Sequence, residues 1–288
     1  GTFTISSDIR FHLAEQYSQP DLLNKYLFMR RNYFLQHGVL GLKRVALLSG
    51  GHSMRPDAMV ASSKWERDVI VSTGFDPQAI DIVGLARWDE ILLREPRPVG
   101  KKRRVLFMPT WRIWLEGLRY PDLQESEYFQ RILEFLNSGR LDRLLEETNS
   151  ELVYVPHPLM RDEVRDLTFE STRVLYVNQD EVPFFDLLRS ADLLVTDYSS
   201  VLWDFVQMRK PAILYQFDHE RYARETGMYA TPGFLAVLER FDRAKTMPEL
   251  LQSLEGMLRL PDDGLALLGE DPISRVFPHN DLENSKRT

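Results

Sequence analysis

Residues 191–218 read ADLLVTDYSSVLWDFVQMRKPAILYQFD and contain a strand, a turn, a helix and a second strand. Leu193–Thr196 is a short apolar run, and Ala212–Tyr215 is another. Between them Leu202, Phe205 and Val206 fall on one face of a helix expected over residues 199–208. Two short β runs joined by a helix make the unit from which helix-covered parallel sheets are built. The same alternation extends outward. Further strands are expected at residues 104–108, 152–155 and 173–176, and in the first third at 33–36, Ala58–Ala61 and 80–83. A helix over 126–137 has Tyr128, Phe129, Ile132, Leu133 and Leu136 on one face. The fold class is therefore α/β.

At 288 residues and roughly 150 residues per domain, two domains are expected. The stretch Arg94-Glu95-Pro96-Arg97-Pro98-Val99-Gly100-Lys101-Lys102 breaks helices with two prolines and a glycine. It puts the boundary between 1–97 and 98–288. The chain opens Gly1-Thr2-Phe3 without an initiator Met, so a missing piece of the N-terminal domain is expected. No internal repeat or low-complexity tract is visible.

Zero cysteines exclude a disulfide framework, thiolate metal sites and a cysteine nucleophile. The net charge of −7 argues against coating a nucleic acid, so none is expected as a partner. The basic run Lys101, Lys102, Arg103, Arg104 reads as a solvated lead-in to the next strand. Apolar runs fall well short of the ~20 residues of a membrane span, which favours a soluble, cytoplasmic chain. Residues 25–34, KYLFMRRNYF, mix basic and aromatic side chains and read either as a contact for an anionic membrane face or as an inner strand with a charged edge.

Ligands of open α/β sheets sit beyond the carboxyl ends of the strands, and four such loops carry polar residues. After Leu193–Thr196 come Asp197, Tyr198, Ser199 and Ser200, leading into a helix. Backbone N–H groups and two hydroxyls there suit a phosphate, while helix capping by Asp197 or Ser199 is the competing reading. After 152–155 comes Pro156-His157-Pro158, an imidazole in a stiffened loop. After 33–36 come His37, Gly38 and, further on, Lys43, where glycine permits close approach and lysine brings charge. After 104–108 come Thr110, Trp111 and Arg112, a hydroxyl, a ring and a guanidinium suited to an anion. Two histidines at strand ends read as acid–base machinery. His12, His52, His219 and His279 lack such a context, His219 least clearly because Asp218 and Tyr222 flank it. HExxH, EF-hand, P-loop, GxSxG and GxGxxG patterns are all absent from the sequence.

The run at 191–218, together with QHGVLGLKR (36–44), MPTWR (108–112) and YVPHP (154–158), resembles the CDP-glycerol glycerophosphotransferases of teichoic acid and capsule synthesis. SSKWERDVI (62–70), IVGLARWDEIL (82–92), ESEYFQRIL (125–133) and FPHNDLENSKR (277–287) follow the same family order. The resemblance implies a GT-B fold, two Rossmann-like domains facing a cleft, the N-terminal one incomplete. It implies transfer of glycerol phosphate from CDP-glycerol to a hydroxyl of a lipid-linked polymer at the inner membrane surface, with release of CMP. His37 would be the general base and His157 would stabilise or protonate the diphosphate. Ser199 and Ser200 would cradle the phosphates with Thr110 and Arg112 assisting, and the segment 177–180 with Asn178 would seat the cytosine. Many relatives read Trp-His-Gly-Thr-Pro-Leu-Lys where this chain has Gln36 to Lys43, so acceptor-side details do not carry over from the resemblance. A donor diphosphate could recruit Mg²⁺ without a protein cage. Alternatives are a CDP-ribitol or other CDP-polyol transferase, a UDP-sugar GT-B enzyme, or a catalytically silent module of a larger assembly protein.

Overall fold

The computed structural model describes residues 3–6, 31–36, 38–42, 56–93, 102–118, 122–160, 164, 167–178, 181–228, 232–261, 276–279 and 281–288. The chain divides into two compact units. One comprises Gly1–Leu93, Tyr229–Leu238 and Glu270–Thr288, the other Arg94–Met228 and Glu239–Gly269. The division after residue 93 lies close to the expected boundary. The expectation that everything from 98 onward forms the second domain is corrected, because two later segments return to the first unit.

What draws them back is packing between distant residues. Phe277 meets Trp88 edge-on at 5.1 Å, and Phe234 lies 6.4 Å from Phe277. Gly233 sits so close to Trp65 that a Cβ there would lie 2.4 Å from the ring, which only glycine tolerates. Asp89 accepts the backbone N–H groups of Asn284 (2.9 Å) and Ser285 (2.8 Å) at the start of the helix Asn284–Arg287. A carboxylate at a helix start satisfies orphan amides.

Among the described residues, the strands of the first unit are β1 (Phe3–Ser6), β2 (Arg31–Phe34), β3 (Ala58–Ala61) and β4 (Ile80–Ile82), paired in parallel in that order. Its sheet core includes Phe34, Met59, Ala61, Ile70, Phe75 and Ile80. β2 ends two residues before the expected strand does, and Gln36 adopts a left-handed φ of 59°, which cannot continue an extended ladder. Of the basic and aromatic stretch 25–34, residues 31–34 form this inner strand, with Asn32 and Phe34 buried, and 25–30 lie outside the described residues.

In the second unit the strands are β5 (Arg103–Met108), β6 (Ser150–Tyr154), β7 (Val174–Tyr176), β8 (Leu193–Thr196), β9 (Ala212–Tyr215) and β10 (Asp242–Ala244). All pair in parallel in the order β10-β9-β8-β5-β6-β7. β8 and β9 are buried at every position, as continuous apolar runs in the middle of a helix-covered sheet should be. The chain winds from β5 out through β6 and β7, then returns to β8 and winds the other way. The topological switch point therefore lies between β5 and β8.

Sequence periodicity did not reveal β1 or β10. β10 is a three-residue edge strand whose Asp242 and Arg243 are exposed, so it carries no apolar run. The helix Glu127–Leu136 starts where Ser126 accepts the Phe129 N–H, and it buries Phe135 besides the expected residues, with Leu133 partly buried against the same core. The helix Val201–Gln207 is buried all round, Asp204 and Gln207 included, which corrects its single-face reading. Arg104 pairs with Glu151 at 2.6 Å and Arg103 donates to the carbonyl of Leu258, so these two arginines of the basic run serve the strand they begin.

Candidate functional site at the strand ends

β5 lies between β6 and β8, so the loops after these three strands leave the same edge of the second sheet. Thr196 Oγ1 donates to the Met108 carbonyl at 2.6 Å and ties the last residues of β8 and β5 together. One residue on, the Asp197 carboxylate accepts the N–H of Thr110 (2.9 Å) and of Tyr198 (2.6 Å). It also meets Arg112 Nη1 at 2.7 Å. Arg112 Nε and Nη2 donate to the two oxygens of Asp218 at 2.6 and 3.0 Å, and Nη1 donates to the Thr110 carbonyl at 2.6 Å.

Arg112 is 0% exposed, and its guanidinium lies 4.8–5.7 Å from the ring centres of Tyr128, Tyr198, Tyr222 and Phe217. Burial alone would depress its pKa, but attraction to Asp197 and Asp218 outweighs that and keeps it charged. Tyr198 stacks on Tyr222 at 3.6 Å and points its hydroxyl at Asp218. Burial and the neighbouring Asp218 hold the Tyr198 phenol well above its ordinary pKa, so it stays a donor.

Arg112, expected to assist at an anionic ligand, is placed by the structure inside this network. Its guanidinium is committed to two carboxylates and one carbonyl inside an aromatic cage, where it joins the loops after β5, β8 and β9. Asp197 and Tyr198 are buried in the same network and act on the loop rather than on solvent. Sequence reasoning did not find the partners Asp218, Tyr128, Phe217 and Tyr222. The one available signal was that Asp218 and Tyr222 flank His219 just past a strand end.

Other residues of these loops are less committed. Ser199 and Ser200 are half-buried. Ser199 Oγ accepts the Val201 N–H at 3.3 Å, so the capping reading holds for that hydroxyl, whereas Ser200 occupies the cap position without a side-chain capping bond. Thr110 Oγ1 is buried without a hydrogen-bond partner among the described residues. His157 stacks at 6.3 Å on Trp111, a contact between the loops after β6 and β5. Its Nδ1 accepts the Leu159 N–H at 3.3 Å, so the neutral ring carries its proton on Nε2. Asn178 lies just past β7, and its carbonyl accepts the Glu181 N–H.

In the first unit, His37 and Lys43 lie outside the described residues. Gly38 is buried, and Gln36 Nε2 donates to the Val60 carbonyl at 2.5 Å. Glu66, on the helix Lys64–Ser72, is fully buried and accepts the Leu40 N–H at 2.6 Å. Sequence reasoning missed Glu66 as well. Among the described residues no three His, Asp or Glu side chains form a metal-ligand cluster, and no helix is long and apolar enough to cross a membrane.

The Minor teichoic acid biosynthesis protein GgaB of Bacillus subtilis (strain 168) is 27% identical over 302 residues, covering 98% of this chain and 31% of that protein. The Teichoic acid poly(ribitol-phosphate) polymerase of Bacillus spizizenii (strain ATCC 23059 / NRRL B-14472 / W23) is 24% identical over 209 residues, covering 66% of this chain and 32% of that protein. This chain thus spans about a third of the length of these curated relatives. Among solved structures, the wall teichoic acid polymerase TagF superposes with a TM-score of 0.60 at 17% identity, covering 89% of this chain and 66% of that one. That likeness, with two parallel-sheet α/β units, shows a GT-B fold. The family model described as CDP-Glycerol:Poly(glycerophosphate) glycerophosphotransferase matches residues 79–287, well over half of the sequence. The chain belongs to the CDP-glycerol:poly(glycerophosphate) glycerophosphotransferase family.

Proposed function

We propose that this chain transfers glycerol phosphate from CDP-glycerol to a hydroxyl of a lipid-linked teichoic acid or related acceptor, releasing CMP. The acceptor oxygen attacks the glycerol-bearing phosphorus. A P–O bond forms there, the bridging P–O bond to CMP breaks, and the acceptor proton passes to His37 as base. Such transfer needs positioning and charge stabilisation more than covalent help. The observation that carries the reading is the strand-end edge at the switch point. There His157 presents an imidazole whose Nδ1 accepts the Leu159 N–H and which stacks on Trp111 of the loop after β5, Ser200 on the loop after β8 has a hydroxyl not spent on capping, and a buried ion network ties the loops after β5 and β8 together. In this role His157 donates to the diphosphate, and Ser199 and Ser200 with their amides hold it. Asn178 and its neighbours receive the cytosine. Any Mg²⁺ would be held by donor oxygens rather than by a carboxylate cage. Cytoplasmic action at the inner membrane face belongs to the same proposal.

The ribitol-phosphate relative favours a second reading, CDP-ribitol as donor. Calorimetry with CDP-glycerol, CDP-ribitol and UDP-N-acetylglucosamine, followed by a CMP-release assay, separates the readings. Binding of CDP-glycerol with CMP release supports the first, and preference for CDP-ribitol supports the second. Binding of the UDP-sugar alone, or of a CDP-polyol without turnover, overturns both.

A further inference from the structure

The sequence Ser63-Lys64-Trp65-Glu66 has the form of a capping box, in which the glutamate three residues into a helix reaches back to the N–H of the cap residue. The first half of that box is present, since Ser63 Oγ accepts the Glu66 N–H at 3.2 Å. The second half is diverted. Glu66 Oε2 accepts both the N–H and the hydroxyl of Ser62 at 2.6 Å, and Oε1 reaches 26 residues back to the Leu40 N–H at 2.6 Å. A capping-box glutamate normally faces water, yet Glu66 is 0% exposed.

Burial pushes its carboxyl pKa up, and the donors from Ser62, Leu40 and Gln36 offset part of that rise. A glutamine could cap the helix without burying a charge, so the carboxylate is retained at a cost that capping does not explain. The second tie is on the other side of the same loop. Gln36 is held in the left-handed region at φ 59° with its side-chain amide bonded to Val60, a strained placement for a non-glycine residue. Residue 37 therefore follows an anchored Gln36, and Leu40 three residues later is anchored by Glu66.

We infer that Glu66 is a positioning residue that, braced by Ser62, holds Leu40 while Val60 holds Gln36, so that the residues on both sides of position 37 are fixed for the transfer step. The inference rests on the transferase reading for its chemical meaning, but the clamp itself can be tested apart from activity. Hydrogen exchange of the peptide covering residues 36–42 is compared in the parent, Glu66→Gln and Ser62→Ala. Exchange at least about tenfold faster in Glu66→Gln, smaller in Ser62→Ala and absent from peptides of the second unit is expected. Unchanged exchange in Glu66→Gln overturns the clamp.

CMP release at saturating donor is then measured in a double-mutant cycle with His37→Ala. Glu66→Gln should lower the rate about tenfold or more without changing the calorimetric donor affinity, and should cost nothing further in the His37→Ala background. Additive losses, or an equal loss of donor affinity, would reduce Glu66 to a merely structural role and overturn the positioning inference. If His37→Ala alone leaves the rate intact, the base assignment falls, while the exchange data still decide whether Glu66 clamps the loop.

Discussion

Replacing Arg112 by Met tests whether the guanidinium at the switch point is structural or binds ligand. The side chain is fully buried and engages Asp197 once and Asp218 twice. Methionine fills much of the volume but leaves two buried carboxylates without their cation. Breaking a buried pair by removing one partner costs about 3–5 kcal/mol, a large part of the roughly 5–15 kcal/mol that stabilises a domain. For a unit of this size each kcal/mol moves Tm by about 2–4 °C, so the second unit should melt about 6–20 °C lower. Arg112→Lys keeps a charge but loses the two-pronged contact with Asp218, and it should lie between parent and Met variant. The assay is urea and thermal unfolding followed by tryptophan fluorescence, paired with CDP-glycerol calorimetry at a temperature where each variant is folded. The structural account predicts a lowered midpoint with donor affinity retained within a few-fold. A variant that unfolds like the parent but no longer binds the donor would refute it and return Arg112 to the role of anion ligand.

His157→Ala should lower CMP release by about 10²-fold or more, the scale of a lost acid–base group, while the melting temperature stays within a degree or two. Asp89 supplies an acid-sensitive lock for the C-terminal segment of the first unit. Burial raises its pKa, but hydrogen bonds from Ser285 and Asn284 more than offset that and hold it below the ordinary value. A carboxylate with a depressed folded pKa contributes fully above its unfolded pKa of about 3.9 and loses the contribution as pH falls through the lower folded value. Acid unfolding monitored at residues 277–287 should therefore show a loss of protection below about pH 4 that Asp89→Asn removes. Gly84→Ala should destabilise the same unit by more than about 1 kcal/mol, because φ is +81° and the added Cβ would lie 2.0 Å from Asn284 Oδ1. A denaturant midpoint equal to the parent's would refute that.

The βα alternation, the largely apolar β8 and β9 and the helix start at Ser126 were legible along the chain, because local burial and capping leave their pattern within a few residues. So was the set of loops in which to look. The sequence also carried the family, through separated motifs in one order. The roles inside those loops were not legible. A guanidinium after a strand end has the same sequence pattern whether it meets phosphate or two carboxylates. Only the third dimension brings Asp218 from 106 residues away to neutralise Arg112. The same holds for Glu66, which reads as a helix cap until Leu40 is seen against it, and for Phe277 and Asn284, which follow the second unit in order but pack on Trp88 and Asp89 of the first. Sequence order records what each segment is able to form. Which charges share a dry interior depends on contacts between residues far apart in the chain, and only the folded chain decides that.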